Sequence, residues 1–270
     1  MRFLVLDEFF RRLWPPPEDP FRRVAELAGE EFRRVKTRRT FRVELAGRGF
    51  FVKRHLGVGW GEIFKNWLVF KRPVLGALDE YRALRRLAEL GVPTMTPAAC
   101  GCRGTNPAKL ESFLITEELA GMIDLETLAK KWHTEAPEPT RRRGLIRAVA
   151  ESAGRMHRGG VNHRDCYICH YLTPRRGDDS GKLVYVIDLH RAQIRKRVPR
   201  RYLVKDLAGL CFSSFDARLT RREALRFVRL YSRRPLRREL KENARLWEDV
   251  LKTARKLYYK EFRRPAPELR

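Results

Sequence analysis

The sequence is poor in cysteine, in acidic residues and in long apolar runs, and each shortage excludes a class of protein. Five cysteines in 270 residues are an odd number, which argues against a disulfide framework and favours reduced thiols. No stretch reaches the roughly 18 to 20 consecutive apolar residues that a spanning helix needs. The N-terminal residues lack a long apolar segment and a cleavage site, so we predict no signal peptide and a cytoplasmic protein.

Acidic residues are outnumbered by basic ones. The chain has 33 Asp and Glu against 59 Lys and Arg, a net charge of +26 at pH 7. This charge favours a polyanionic partner, but it does not choose among nucleic acid, an anionic membrane, an acidic protein and a phosphorylated glycolipid. One run without acids contains seven basic side chains: Arg191, Arg195, Lys196, Arg197, Arg200, Arg201 and Lys205.

The front of the chain reads as strand-rich. Apolar residues alternate with polar ones over residues 41–45, a turn is expected over 46–49, and a second strand over 50–53 ends near Lys53. Helical spacing of leucines then predicts a helix over residues 76–90. Further predicted elements are a helix that Asp19 caps and that ends near Gly29, and a strand over residues 112–116.

The back of the chain reads as mostly helical. Apolar spacing predicts helices over residues 125–132 and 145–157, and a buried strand over 183–187 that ends at Asp188. Three helical segments are expected after Val204, with breaks near Leu219 and Pro235. The amphipathic first residues are expected to pack on the front region, and a membrane surface is the alternative.

Four residues or motifs follow one another in an informative order. Lys53 ends a predicted strand, Glu80 lies on the next helix, His163-Arg164-Asp165 follows a helix, and Asp188 ends a strand. This order resembles the signature set of protein kinases. Each residue alone could be an ordinary surface, turn or cap residue, but the four together favour phosphoryl transfer.

Phosphoryl transfer gives each of these residues a role, because its catalysis consists mainly of positioning and charge stabilisation. Lys53 would hold the α- and β-phosphates of ATP, and Glu80 would hold Lys53 by an ion pair. Asp188 would bind Mg²⁺, which prefers oxygen ligands. Asp165 would orient the acceptor hydroxyl and take its proton.

Three features depart from ordinary protein kinases. His170 stands where those kinases have an asparagine, and the metal aspartate is followed by Leu189-His190. The glycine-rich loop is missing, and residues 36–39 occupy the corresponding predicted turn. There, Arg38 and Arg39 would neutralise phosphates by charge.

Two long stretches are similar to a known family. Residues 163–170 (HRDCYICH) and 186–193 (VIDLHRAQ) resemble the bacterial lipopolysaccharide core heptose(I) kinases. Shorter stretches at residues 38–40, 73–77 and 198–201 are similar too, so the resemblance covers nearly the whole chain. In that family, the three departures are usual residues.

The resemblance implies an α+β, protein-kinase-like bilobal fold. Residues 1–119 would form a β-rich, nucleotide-binding lobe with one main helix, and residues 120–270 a mostly helical lobe. The implied activity is transfer of the γ-phosphate of ATP, with Mg²⁺, to the first heptose of the lipopolysaccharide inner core. Such enzymes work as peripheral proteins at the cytoplasmic face of the inner membrane.

The resemblance also assigns individual residues. Asp165 would be catalytic, Asp188 would bind metal with His170 as a further candidate ligand, and His163 and Asp206 would give structural support. Charge, independently of the resemblance, leads us to expect that the acceptor or the anionic membrane surface meets the basic run, with four candidate arginines: Arg191, Arg195, Arg200 and Arg201. An acidic protein such as an acyl carrier protein is another candidate partner, and nucleic acid is not expected.

Three alternatives stay open. His163, Cys166, Cys169 and His170 could bind zinc, although four ligands within eight residues would be cramped. The chain could instead be a basic, inactive kinase-like module that binds a polyanion. It could also be a kinase of the same fold that acts on Kdo, on another heptose or on a protein tyrosine.

Overall fold

The computed structural model describes residues 2–35, 37–68, 73–132, 134–135, 137–175 and 184–268. The chain divides into two compact units. The first contains residues 1–85 and 95–120, and the second contains residues 86–94 and 121–270. The predicted assignment of nucleotide binding to residues 1–119, and of the catalytic loop to residues 120–270, stays a prediction.

The first unit is built on a six-stranded antiparallel sheet with strand order β1-β5-β6-β4-β3-β2. Its strands are β1 (Arg2–Leu6), β2 (Glu30–Val35), β3 (Arg38–Leu45), β4 (Arg48–Leu56), β5 (Pro97–Arg103) and β6 (Glu111–Glu117). Its helices are α1 (Glu8–Leu13), α2 (Pro20–Glu26), α3 (Gly59–Leu68) and α4 (Leu78–Glu89), and the division between the units falls inside α4.

A tight hairpin joins β3 to β4. Its turn is Ala46-Gly47, and both residues have positive φ, as a two-residue turn matched to the strand twist requires. The predicted turn over residues 46–49 was therefore too long, because Arg48 already pairs with Leu45. The predicted turn over residues 36–39 was also too long, since β3 begins at Arg38; Lys36 lies outside the described residues.

An aromatic cluster fills one face of this sheet. Phe10, Phe21, Phe41, Phe50 and Phe113 are all fully buried or nearly so. Three further side chains of the amphipathic N-terminal segment pack against this cluster: Leu6, Phe9 and Leu13. The N-terminal segment is thus part of the core, as expected. Asp19 caps α2 by accepting a hydrogen bond from the Phe21 N–H at 3.1 Å, also as predicted.

The second unit is mostly helical. Its helices are α5 (Leu125–Lys131), α6 (Pro139–Arg158), α7 (Arg200–Ser214), α8 (Arg221–Ser232), α9 (Leu236–Glu242) and α10 (Ala244–Phe262). Short strands β7 (Met122–Asp124), β9 (Tyr171–Pro174) and β10 (Tyr185–Val186) form one sheet, and β8 (Val161–Asn162) pairs with β11 (Gln193–Ile194). The C-terminal region has four helices from Arg200 onward, where we predicted three from Val204.

The core of the second unit includes the contact between α7 and α10, where Ala208, Phe215, Ala254 and Tyr258 are buried together. Small residues at Ala208 and Ala254 let the two helices approach closely. Within the described part of the chain, no helix has the length and apolar character needed to cross a bilayer.

Candidate functional site

The first unit positions Lys53 and Glu80 as a buried ion pair. Lys53 lies in β4 between partners on β3 and β6, and Glu80 lies in the first turn of α4. The Lys53 Nζ and Glu80 Oε1 atoms are 2.5 Å apart, and the two side chains are 13% and 1% exposed. The sheet fixes the lysine and the helix fixes its partner, so the ammonium group is held in one position while part of it remains accessible.

Two arginines predicted to meet phosphates lie at the start of β3. Arg39 donates to Glu31 Oε1 at 2.8 Å and its guanidinium stacks over Phe41 at 4.5 Å, so it is engaged within the sheet. Arg38 pairs with His55 in the register, and its buried Nε has no hydrogen-bond partner among the described residues. Of the two, Arg38 is the better candidate for an anionic ligand.

In the second unit, the loop after β8 is held by Asp206. This fully buried carboxylate, on α7, accepts hydrogen bonds from the backbone N–H groups of His163 at 2.6 Å and Arg164 at 2.8 Å. Arg164 has φ of 75°, a conformation that non-glycine residues rarely adopt. The two bonds offset the cost of that backbone and present the next residue, Asp165, at the surface of the loop.

Asp206 belongs to a larger buried network. His157 Nε2 lies 3.3 Å from Asp206 Oδ2, and His157 Nδ1 lies 2.9 Å from the Tyr231 hydroxyl. Burial alone would raise the pKa of Asp206, but the hydrogen bond and charge of His157, with further help from His163, keep that pKa below its usual value. Asp206 is therefore held as a carboxylate that can accept both loop N–H groups.

Asp165 faces a guanidinium group. Arg191 Nη1 donates to both of its carboxylate oxygens, at 2.7 and 3.0 Å. The side chains of Asp165 and Arg191 are partly exposed. The ionised carboxylate has about four lone-pair sites, so it can still accept a hydrogen bond from an approaching hydroxyl.

Asp188 lies between two histidines. Its Oδ1 accepts from His190 Nδ1 at 2.7 Å, and its Oδ2 lies 3.6 Å from His170 Nε2. His170 Nδ1 must donate to the Asp165 carbonyl oxygen at 2.7 Å, because a carbonyl only accepts. In the neutral ring, His170 Nε2 then presents a lone pair toward the carboxylate, and both atoms could be ligands of one cation.

The proposed zinc ligands do not converge. The Cys166 thiol bonds to the Tyr171 hydroxyl at 3.3 Å, and His163 Nε2 bonds to the Ile187 carbonyl oxygen at 2.9 Å. Burial raises the pKa of Cys166 well above its ordinary value and that of Cys169 to about 11, which disfavours the thiolates that zinc requires. Across the described residues, no cluster of three or more His, Cys, Asp or Glu could hold a metal ion.

A basic cleft adjoins the Asp165 loop within the second unit. Its volume is about 540 Å³, and its basic lining residues are Arg164, Arg200, Arg201, Lys205 and Lys252. Arg200 pairs with Asp249 at 2.7 Å, while Arg201 stacks over Tyr202 and is exposed. Five cations against the single carboxylate of Asp249 make this cleft suited to an anionic group.

The four arginines that we predicted to meet the acceptor or the membrane have different contacts in the structure. Arg200 and Arg201 line the cleft, Arg191 binds Asp165, and Arg195 is used within the fold, where it donates to Asn162 and Gln193 at 2.6 and 2.7 Å. The contact of Arg191 with Asp165 was missed in the sequence. The only available signal was the closeness of Arg191 to Asp188, which does not reveal its partner.

The comparisons with known proteins agree with one another. The model of the Lipopolysaccharide kinase (Kdo/WaaP) family matches residues 22–231. A Pseudomonas aeruginosa protein named Lipopolysaccharide core heptose(I) kinase WaaP is 52% identical over 259 residues, which cover 94% of this chain and 96% of that protein. An Escherichia coli protein of the same name is 46% identical over 254 residues, or 93% of this chain and 96% of its own.

A solved structure, described as WaaP in complex with acyl carrier protein, is similar as well. It has a TM-score of 0.82 and 47% identity, and the match covers 95% of this chain and 99% of that one. The predicted α+β fold, with its strand-rich first part and mostly helical second part, is therefore confirmed. With matches of this extent, the chain belongs to the lipopolysaccharide kinase (Kdo/WaaP) family and is a kinase.

Proposed function

We propose that this chain transfers the γ-phosphoryl group of ATP to the first heptose of the lipopolysaccharide inner core. The observation that carries the proposal is the match to relatives named Lipopolysaccharide core heptose(I) kinase over nearly the whole chain. These names favour the first heptose over Kdo, another heptose or a protein tyrosine. Because the family and these relatives are named as kinases, they also disfavour the alternative that the chain is an inactive, kinase-like module that binds a polyanion.

Asp165 is the proposed catalytic residue. Its carboxylate would accept a hydrogen bond from the acceptor hydroxyl, orient the oxygen toward the phosphorus and take the proton as the new bond forms. Arg191, which holds both oxygens of this carboxylate, would limit its rotation and so serve as a positioning residue. Alignment, rather than strong basicity, would supply the main contribution.

Lys53, Arg38 and Glu80 are the proposed nucleotide-binding residues. Lys53 would neutralise the α- and β-phosphates, and Glu80 would keep the ammonium group in place through their 2.5 Å contact. Arg38 would add a second positive charge. Arg39, which is already paired with Glu31, would contribute less than the sequence suggested.

Asp188 and His170 would hold a magnesium ion, because the Asp188 Oδ2 and His170 Nε2 atoms lie 3.6 Å apart. Mg²⁺ keeps several waters and takes phosphate oxygens, so one or two protein ligands suffice. When bound, the ion would supply positive charge that stabilises the transferring phosphoryl group. His190 would hold the other Asp188 oxygen through its 2.7 Å hydrogen bond and so fix the carboxylate orientation.

The basic cleft is the proposed site for the anionic part of the acceptor. Its five cations adjoin the loop that carries Asp165, and the inner core carries phosphates and acidic sugars on an anionic leaflet. The double variant Arg200→Glu and Arg201→Glu should raise the KM for the glycolipid at least tenfold. An unchanged KM for the glycolipid, and unchanged binding to anionic vesicles, would remove this segment from acceptor and membrane recognition.

An acyl carrier protein is a proposed partner, because a 47% identical relative is described in complex with one. The net charge of +26 suits an acidic protein. The helical unit also contains an apolar cavity of about 290 Å³, whose lining includes Ile168, Leu207 and Val250, with the chemistry to receive an acyl chain. Titration with purified acyl and unloaded carrier proteins would test both points, and equal affinities would exclude a role for the cavity.

Transfer of label from γ-labelled ATP to purified core lipopolysaccharide that lacks heptose phosphate tests the proposed function. The native chain should label the glycolipid, and Asp165→Ala should reduce labelling about 10³-fold. Glu89→Ala, which removes an exposed carboxylate of α4 that is not part of the cleft, is the matched control and should retain most activity. Absent labelling by the native chain with intact ATP binding would move the search to another acceptor.

A further inference from the structure

Helix α3 exposes a continuous apolar face. Trp60, Phe64, Trp67 and Leu68 are 45%, 52%, 54% and 81% exposed. Their spacing of four, seven and eight residues from Trp60 places them on one side of a helix. Large apolar side chains grouped in this way on a surface mark an interaction site, whereas isolated ones need no explanation.

This apolar face is held in place by a buried side chain of α3 and by contacts among its own aromatic rings. Ile63 is 1% exposed and anchors the helix to its unit. Helix α3 also contacts the short 3-10 helix Pro107–Lys109. The Trp60 and Phe64 rings have centroids 5.7 Å apart, and those of Phe64 and Trp67 are 5.6 Å apart. The three rings therefore form one preordered surface, which lowers the entropy cost of docking.

Positive charge and further apolar side chains lie at the same end of the sheet. Strand β4 ends at exposed Leu56 just before α3, and the Leu56 N–H bonds to the Thr37 carbonyl oxygen at 2.9 Å beside the β2–β3 turn. The last residues of β2 include exposed Arg33 and Arg34, of which Arg34 lies 3.7 Å from Glu31. In the last turn of α3, Lys65 is exposed too.

We propose that α3 is a membrane-docking helix that lies in the interface of an anionic bilayer, with its aromatic face at the boundary of headgroups and acyl chains. Tryptophan favours this boundary, since its ring is apolar and its N–H can still bond to headgroups. The neighbouring arginines and Lys65 complement anionic lipids. The identity of the membrane rests on the proposed function, but the docking does not.

The other occupants fit this face less well. An acidic carrier protein would be bound mainly through cations, whereas this face consists of four exposed apolar side chains, and the charged side chains of α3 are Lys65 and the acidic Glu62. A second copy of the chain would need about 800 Å² per partner for a stable dimer. One face of a helix about 15 Å long falls well below that area. A bilayer requires no such complementary surface.

Vesicle binding tests the proposal directly. The full chain should bind vesicles of phosphatidylethanolamine and phosphatidylglycerol, and lipids brominated near the headgroup should quench its tryptophan emission. Trp60→Ser with Trp67→Ser should weaken binding roughly 30-fold or more. Tyr259→Ser, which removes a ring of similar exposure (57%) from α10, is the matched control and should bind as the native chain does.

The proposal would be overturned if the double variant bound vesicles as tightly as the native chain. It would also be overturned if the double variant differed from the native chain in oligomeric state, measured by sedimentation. The third contrary result is a double variant that no longer binds the carrier protein but still binds vesicles. If the serine variant is unstable, quenching in Trp60→Phe and Trp67→Phe still identifies which ring enters the lipid. Transfer to a deacylated acceptor, which needs no membrane, should stay within about twofold in the double variant. Failure of that reaction in the native chain would concern the proposed function instead.

Discussion

The two units hold their candidate catalytic residues in different ways. In the first unit, one carboxylate, Glu80, holds one amine, Lys53, at 2.5 Å. In the second, Asp206 holds the backbone of the loop that carries Asp165, and it is itself bonded to His157. The first arrangement sets the position of a single charge. The second sets the shape of a loop, so its loss should affect stability as well as activity.

The largest effect should come from removing the centre of the second arrangement. Asp206→Ala would leave two buried loop N–H groups and His157 without their acceptor, and should lower the free energy of unfolding by about 3 to 5 kcal/mol. Urea unfolding measures this change. Asp249→Ala, which breaks an exposed pair, should cost less than about 1 kcal/mol. Similar costs for the two variants would mean that Asp206 is not the support of the loop.

The single ion pair of the first unit should matter more for activity than for stability. Glu80→Gln keeps the side-chain volume but removes the charge that orients Lys53, so kcat/KM for ATP should fall about 30-fold, or roughly 2 kcal/mol by the usual conversion. Steady-state kinetics at varied ATP gives this value. Glu89→Gln, on the same helix but exposed, should be neutral. If both variants lose activity equally, the charge of Glu80 has no special role.

The pair of Asp188 and His170 should show an intermediate effect. His170→Ala removes one proposed ligand and should raise the Mg²⁺ concentration for half-maximal transfer about tenfold, and His170→Asn should restore most of it through an oxygen ligand. A magnesium titration of transfer measures the midpoint. Equal midpoints in native and alanine proteins would leave Asp188 as the sole protein ligand.

The smallest effect concerns pH. The pKa of Asp206 is lower in the folded chain than in the unfolded chain, so its ionised form contributes stability above its unfolded pKa. That contribution is lost as the pH falls toward the folded value, below the ordinary aspartate range near 4. The gap in unfolding free energy between native chain and Asp206→Asn should therefore narrow on acidification. A gap that widens in acid would reverse the sign of our interpretation.

The ion pair and the loop differ in how well the sequence revealed them. Lys53 and Glu80 were found because each stands on a strongly patterned element, and their predicted contact is present. Asp206 was placed by resemblance, but its two bonds to the loop backbone leave no pattern in the residues they join. The bond of Arg191 to Asp165 escaped for the same reason, since it depends on how two loops meet.

Several elements of the fold also escaped. Strand β1 was not predicted, because its partner β5 lies far along the chain and its own residues, RFLVL, do not alternate between apolar and polar. Strand β5 was not predicted either, because it contains Gly101 and two cysteines and also lacks this alternation. Helix α3 was not predicted, because two glycines, which are poor helix formers, stand at its start. Its apolar face could be identified as an interaction surface only from the exposed fraction of each side chain, which the sequence does not give.

The position of the new phosphate tests the central claim most directly. The native chain, ATP and magnesium would be incubated with core lipopolysaccharide that lacks heptose phosphate, and the product analysed by ³¹P NMR and fragmentation mass spectrometry. We expect a single added phosphate on the first heptose, and none with Asp165→Ala. A phosphate on Kdo, on the second heptose or on protein would contradict the account, as would the same product from the Asp165→Ala variant.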